Sequence, residues 1–500
     1  MFDFSTFKHE WTNSIFYHEI PVSKDYKVYA NGVEVSVYTC RISAYPFNNY
    51  YSGLQRSIDQ TEIVSFVNLV SDEAIEIEVE PLTKTAYERV MLKPYSKGVE
   101  VTKKENRLVF TIEVNGGYVL ELDDYHGALY LFNNKPCTCE DKGSVTHYFG
   151  KGVHFVGKLT LKSNESVYVD KDAYVYGCIY AENAENIKIF GNGVFDDSAE
   201  ERVTPHCYEP YTNGNVKLYD CKNVEMRGVG FVNSAIWCIN IFHCFDTTID
   251  GVNVFGQWRY NTDGIDIVNS RRITVKNSFI HSFDDAITVK GIDRYAYENN
   301  TDILVDNCTL WCDWGRTLEI GFETECREYK DIVFRNCDIL RGAYAVCDIQ
   351  NGDRAEICNV RFEDIRVELE SFYTPEVVQT EYDQCYDAKD KLEIAKVLCV
   401  TNSRFREHYS MAGGDISELG KPYYAGVHDI LIKDINIYCD KKIAGKLGKR
   451  AVRITVRNKI ATTEYKNIVV QNILFNGEKV AAADMDITIT GCDADILAVI

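Results

Sequence analysis

The chain has 500 residues, 45% of them apolar and 26% charged, with 9 prolines and no low-complexity tract, which excludes a disordered or tether-like protein. A formal net charge of −21 excludes the phosphate neutralisation on which nucleic-acid affinity rests, and disfavours a polyanionic substrate unless a local basic cleft reverses the field. No apolar run reaches 18 residues, so no membrane span is expected.

The opening residues, Met1 to Glu10, carry neither a basic segment nor an apolar core and do not read as a signal peptide. Together with 18 Cys this suggests reduced thiols in a cytoplasm, or secretion if a leader has been removed. No Cys-x-x-Cys pair occurs, Cys137-Thr138-Cys139 being the closest approach. No metal and no cofactor is therefore expected, and the Cys read as small buried hydrophobes.

Residues 1–140 alternate apolar and polar positions in short runs, as at Lys27–Ala30, Ala74–Val79, Arg107–Val114 and Tyr118–Leu122. Turn signals such as Asn31-Gly32 separate them. The expected fold is an antiparallel β-sandwich. Residues 141–500 follow a different rule: Ile-x-Val-x-Asn and its variants recur, clearly at Ile273, Ile303 and Ile332, more weakly near Ile187, Val224, Ile249, Val360, Ile430 and Ile468. Asn277, Asn307 and Asn336 stand 30 and 29 residues apart. Asn tolerates the left-handed backbone of a tight corner and can ladder between stacked coils. Strand-built repeats of this length specify a right-handed parallel β-helix, so the chain is expected to be all-β.

Two insertions interrupt the period. One carries Thr204-Pro205-His206; the other, near 367–428, is Tyr-rich and reads as partly helical from Lys389 to Leu398. Both suit walls of a binding cleft, an end cover or an oligomer contact. The sandwich is expected to cover the open end of the solenoid, whose strand edges would otherwise be unpaired.

Asn261-Thr262-Asp263 is followed about one period later by Asp284-Asp285. Coils stack about 4.8 Å apart, which sets Asp263 over the pair. Packing offers no reason to crowd three like charges. Glycosidic bond hydrolysis does: one carboxyl protonates the leaving oxygen while another activates water. Adjacent residues that work together also require a bend or bulge at the strand end.

With these motifs the chain resembles the polygalacturonase-like glycoside hydrolases of family 28, within the clan that also holds dextranase-type family 49 enzymes. That family carries Asn-Thr-Asp, Asp-Asp, Gly-His-Gly and Arg-Ile-Lys on successive coils. The first two match here, and Asn233-Ser234-Ala235-Ile236-Trp237 looks like the preceding coil; the likeness spans roughly residues 150–365. The resemblance implies that Asp284 is the general acid and that Asp263 and Asp285 hold and deprotonate the attacking water, with inversion. The other two motifs differ. Gly315-Arg316-Thr317 stands where Gly-His-Gly is expected, and Ala345-Val346-Cys347-Asp348 where Arg-Ile-Lys is expected. The pair that grips a galacturonate carboxylate is absent, and Asp348 would repel it, which favours a neutral sugar. Lys290 and Arg354 could still form a basic spot.

The expected activity is thus exo-cleavage of an α-linked, neutral oligo- or polysaccharide by an inverting hydrolase. The alternatives are a polygalacturonase-type pectin hydrolase, a lyase or epimerase, and a non-catalytic carbohydrate-binding β-helix. Expected substrate contacts are Asn261, Trp258, Lys290, Trp314, Arg316, Glu319 and Asp348. Trp311 is a further possible sugar platform. Glu319 and Arg316 could equally pair with each other. His154, His206, His243 and His281 lack metal-ligand spacing and read as structural. No nucleic-acid or membrane partner is expected, and an oligomer is possible.

Overall fold

The Asn31-Gly32 turn shows how locally the first domain is encoded. Both residues take positive φ, 47° and 75°, closing a two-residue hairpin between Tyr26–Ala30 and Val33–Val35. In the computed structural model the described residues are 21–44, 61–202, 212–353, 355–369, 394–402, 426–460 and 463–500, with Ile58, Cys207 and two short strands, Glu376–Val378 and Asp387–Lys389.

The hairpin joins Ile75–Pro81, Arg107–Ile112 and Thr102–Lys104 in one five-stranded sheet; Tyr38–Ser43, Thr61–Val70, Asp124–Asn134, Gly116–Leu122 and Val90–Lys93 form the second. Inward positions of the two sheets, among them Val28, Val67, Ile77, Phe110, Leu120 and Leu131, fill the sandwich core. Neighbouring strands run antiparallel except Thr61–Val70 and Asp124–Asn134, which pair in parallel.

The last sandwich strand ends at Asn134 and the solenoid opens at His147–Phe149. From there 29 strands form one continuous coiled sheet with three parallel faces. On one face Ile187, Val224, Thr247, Ile273, Ile303, Ile332, Val360, Ile430 and Ile468 stack in register. The single slip from expectation is Thr247 in place of Ile249, because inward positions recur every two residues and both face the core. Asn277, Asn307 and Asn336 have φ of 54°, 54° and 52°. The Asn307 amide donates to Asn277 Oδ1 at 2.8 Å, so the corner ladder is real. Within the second insertion, Lys396–Asn402 is a solenoid strand paired with Ala345–Asn351, not the end of a helix. Residues 204–206 and most of 370–425 lie outside the described residues. No helix among the described residues is long and apolar enough to cross a membrane.

The sandwich does not sit on the end of the solenoid. Cys40, Phe66, Tyr130 and Phe132 pack with Val194, Val232, Phe279, Trp311 and Leu340 of the β-helix side. That face carries large apolar residues where solvent would demand polar ones. Beneath it runs a buried ion network: Arg341 donates to both Glu121 oxygens at 2.6 and 3.0 Å, and Lys93 stands 3.6 Å from Glu121 and 3.3 Å from Glu368. Removing one partner strands a buried charge. Arg341→Met is therefore expected to cost about 3 kcal/mol in denaturant unfolding. An unchanged midpoint would show that the network is solvated in solution.

Candidate active site

One face of the solenoid carries the chemistry. Its strands Ile265–Val268, Ile287–Gly291, Arg316–Thr324 and Ala345–Asn351 stack in parallel, with Ile265 opposite Ile287, Ile287 opposite Leu318, and Leu318 opposite Cys347. Extended two residues back, that register sets Asp263 over Asp285 and Arg316. Asp263, Asp284 and Asp285 all lie in the turns that lead into these strands. The Asp pair therefore sits at a bend, where neighbouring side chains can converge.

The turns are stitched together by backbone. The Thr262 carbonyl accepts from the N–H groups of Phe283 and Asp284 at 3.2 and 3.4 Å, and Gly264 N–H donates to Asp285 O at 2.8 Å. Asn261 takes φ of 55°, which Asn tolerates, and its amide donates to Asp284 Oδ2 at 3.3 Å. Arg202 fixes that amide by donating to Asn261 Oδ1 at 2.8 Å. On the next coil only a glycine fits at 315, since a Cβ there would lie 2.4 Å from Asp285 Oδ1 and 2.5 Å from Asp284 Oδ1. Its absence leaves Arg316 N–H free to donate to Asp285 Oδ1 at 2.9 Å.

Lys290 is the electrostatic centre. Its ammonium, buried, stands 3.2 Å from Asp285, 3.3 Å from Glu323, 3.5 Å from Asp263 and 4.0 Å from Asp266. Arg316 lies 3.4 Å from Asp348 and 3.8 Å from both Asp285 and Glu319, while Gln350 donates to Glu319 and Asp348 at 3.3 and 3.0 Å. The proton affinities separate accordingly. Burial, then the neighbouring Asp285 charge, pushes Asp284 up to about 7. Burial acts upward on Asp285 as well, but Lys290 and Arg316 outweigh it and hold this carboxyl below its ordinary value. Asp263 is raised by burial and Asp266 against the pull of Lys290, and Glu319 by burial and Asp285. Burial lifts Asp348 to about 6.

The structure thus gathers Asn261, Asp263, Asp284, Asp285, Lys290, Arg316, Glu319 and Asp348 in one patch. Trp314 stands at its edge, half-buried against Tyr260 and Phe283. Three expectations need correction. Trp258 is buried, its indole N–H bonded to Asn233 Oδ1 at 3.2 Å and its ring beside Arg41 and Arg259, so it offers no face to a sugar. Lys290 is taken up by carboxylates and is not available to grip a substrate anion. Trp311, too, is consumed in packing against the sandwich. Arg316 faces Asp348 and Asp285, at 3.4 and 3.8 Å. Arg354 lies outside the described residues.

Asp266 and Glu323 escaped the sequence reading. Asp266 was visible in outline, three residues after Asp263 on an outward position. Glu323 was not: a register shift between Val289 and Gly291 brings it onto Lys290, and nothing in the local sequence announces that irregularity. Two substitutions probe the arrangement. Lys290→Met should raise the proton affinity of Asp285, moving the acidic limb of any pH–rate profile upward. Gly315→Ala should reduce turnover at least about 100-fold while leaving the thermal midpoint nearly in place, because the Cβ displaces the acids and not the core.

The model of the glycosyl hydrolases family 28 matches residues 141–406. A probable exopolygalacturonase B of Aspergillus fumigatus is 24% identical over 324 residues, 58% of this chain and 67% of that protein. An exopolygalacturonase of Zea mays is 25% identical over 278 residues, 49% of this chain and 63% of that protein. The solved structure of Dex49A from Penicillium minioluteum shares the fold, with a TM-score of 0.59 at 12% identity, over 97% of this chain and 95% of that one. The chain belongs to the glycosyl hydrolases family 28 and is a glycoside hydrolase of the inverting kind that marks this family.

Proposed function

We propose that this hydrolase removes terminal residues from a neutral, α-linked oligosaccharide. The observation that carries the proposal is the charge of the site. Seven carboxyl groups (Asp263, Asp266, Asp284, Asp285, Glu319, Glu323 and Asp348) surround two cations, Lys290 and Arg316, each already engaged by three or more of them. A uronate would find neither of these cations free to meet it. A neutral sugar brings no charge of its own, and its hydroxyls can donate hydrogen bonds to carboxylate oxygens.

In this reading Asp284 keeps its proton near neutral pH and gives it to the leaving glycosidic oxygen. Asp285, ionised beside Lys290 and Arg316, takes a proton from a water attacking the opposite face of the ring. Asp263, biased toward its protonated form, orients the water rather than deprotonating it. Trp314 supplies an aromatic edge to the sugar. We also place the enzyme in a reducing compartment, where free thiols such as Cys238, Cys244, Cys312 and Cys347 persist in the core, and where imported oligosaccharides suit exo-action.

A second reading, cleavage of a uronate, has its own observation. Lys396 stands two coils beyond Arg316 with its ammonium 3.6 Å over the Tyr344 ring, and makes no ion pair among the described residues. It could meet a carboxylate on the sugar next to the scissile bond, and the relatives are named exopolygalacturonases.

A product screen of wild type and Asp284→Asn separates the two, using end-labelled α-glucans, α-galactosides, rhamnose- and arabinose-capped chains and oligogalacturonides. The expected result is release of single sugars from a neutral substrate, lost in Asp284→Asn. Turnover of oligogalacturonides alone would sink the neutral-sugar proposal. The pH profile is a further check. An acid whose folded-state affinity is raised to about 7 is active below that pH and lost above it, so the basic limb should fall near pH 7. A plateau reaching well beyond pH 7 would remove Asp284 from that role.

A further inference from the structure

His281, structural by its sequence context, is the centre of a buried chain of hydrogen bonds that joins the sandwich to the catalytic turns. Its ring is fully buried on the strand Phe279–Ser282. Nε2 lies 3.0 Å from Asp313 Oδ1, and Nδ1 lies 2.9 Å from the hydroxyl of Tyr130, a residue of the sandwich. In the neutral imidazole, donation from Nε2 to the carboxylate leaves Nδ1 to accept from Tyr130, so the three groups fix one tautomer. Trp311 donates to the same Asp313 oxygen at 2.8 Å and stacks on His281 with centroids 4.2 Å apart. Arg341, held by Glu121 of the sandwich, lies over the same indole, 4.3 Å from its centroid.

The two ends of this chain enter the active-site turns directly. Ser282 follows His281, accepts the Asp313 N–H on its carbonyl at 3.1 Å, and bonds the Asp284 carbonyl through its hydroxyl at 2.6 Å. Asp313 is followed by Trp314, whose N–H donates to Phe283 O at 2.8 Å, then by Gly315, on which both catalytic carboxyls lie. His281 and Trp311 are register partners on neighbouring coils. A shift in either residue moves one turn against the other and changes the spacing between Asp284, Asp285 and Arg316.

We propose that Tyr130, acting through His281 and Asp313, is a positioning residue for the reaction, so that the sandwich is a working part of the active site. This rests on the assignment of Asp284 and Asp285 as acid and base. Nothing in it depends on which sugar is cleaved.

The test uses the full chain and, among malto-, isomalto- and nigero-oligosaccharides and oligogalacturonides, the substrate that wild type turns over fastest. Tyr130→Phe removes one buried hydroxyl far from the substrate. It should lower kcat about ten-fold with KM within about two-fold, and displace the basic limb of the pH profile. His281→Asn, which keeps an acceptor for Tyr130 but loses reach to Asp313, should match it. The double variant should be no worse than either, since both break one chain. Phe132→Leu is the control: it thins the same interface, where Phe132 meets Phe255 and Phe279 at 5.0 and 5.2 Å and the Tyr130 ring at 6.4 Å, but removes none of the relay's hydrogen bonds.

A Tyr130→Phe enzyme that keeps the wild-type kcat and pH profile while its thermal midpoint drops as in Phe132→Leu would overturn the positioning role alone. Additive losses in the double variant would overturn it too. Hydrolysis that survives in Asp284→Asn would overturn the acid–base assignment, and the relay with it.

Discussion

A lysine ammonium taken out of water costs several kcal/mol, and more if it is left alone. Lys290 is buried, and four carboxylates within 4.0 Å make that burial possible. The dependence is mutual, because none of those carboxylates could sit together in that patch without a cation. This constraint explains the unequal fate of two adjacent residues. Asp285 lies against the ammonium and against the Arg316 backbone N–H, whereas Asp284 meets neither at that range and accepts the Asn261 amide on its carboxyl at 3.3 Å. Identical side chains, one bond apart along the chain, are thereby driven to opposite protonation states.

Stability and chemistry are carried by different atoms. The solenoid core is a stack of Ile, Val and Leu from every coil, uninterrupted from Leu161 to Met485. It sets the register, and the register sets which turns neighbour one another. A buried ion cluster adds little net stability. It can be maintained at the turns because the aliphatic stack beneath does not depend on it. The sandwich extends this scaffold sideways: its apolar docking face and the Arg341–Glu121 pair brace the third face of the solenoid, from which the Asp284-Asp285 and Asp313–Gly315 turns depart.

Much of this was legible from residue spacing. A solenoid converts distance along the chain into height, so Asn261-Thr262-Asp263 and Asp284-Asp285 could be stacked on paper, and the Asn277–Asn307 ladder with them. What escaped depends on departures from the period. Glu323 reaches Lys290 through a register shift, Thr247 replaces Ile249 because a slip of two residues conserves the inward face, and Lys396 belongs to a coil hidden inside an insertion. Trp258 and Trp311 were misplaced for a different reason. An aromatic beside a catalytic motif has the same sequence signature whether it faces a sugar or a neighbouring domain, and the docking of the sandwich on the solenoid flank decided between them. By sequence Lys290 resembles a hand for the substrate; the surplus of acids around it makes it a counter-ion instead.

The division of labour between Asp284 and Asp285 is most directly tested by titrating the two carboxyls themselves, in protein carrying carbon-13 aspartate, followed by the infrared carboxyl bands and assigned with Asp284→Asn and Asp285→Asn. Of this pair, Asp284 should remain protonated to about pH 7, as a band that vanishes from the spectrum of Asp284→Asn, while Asp285 is ionised throughout that range. Two carboxyls that both ionise near pH 4, the ordinary aspartate range, would contradict the control of this site by burial and Lys290.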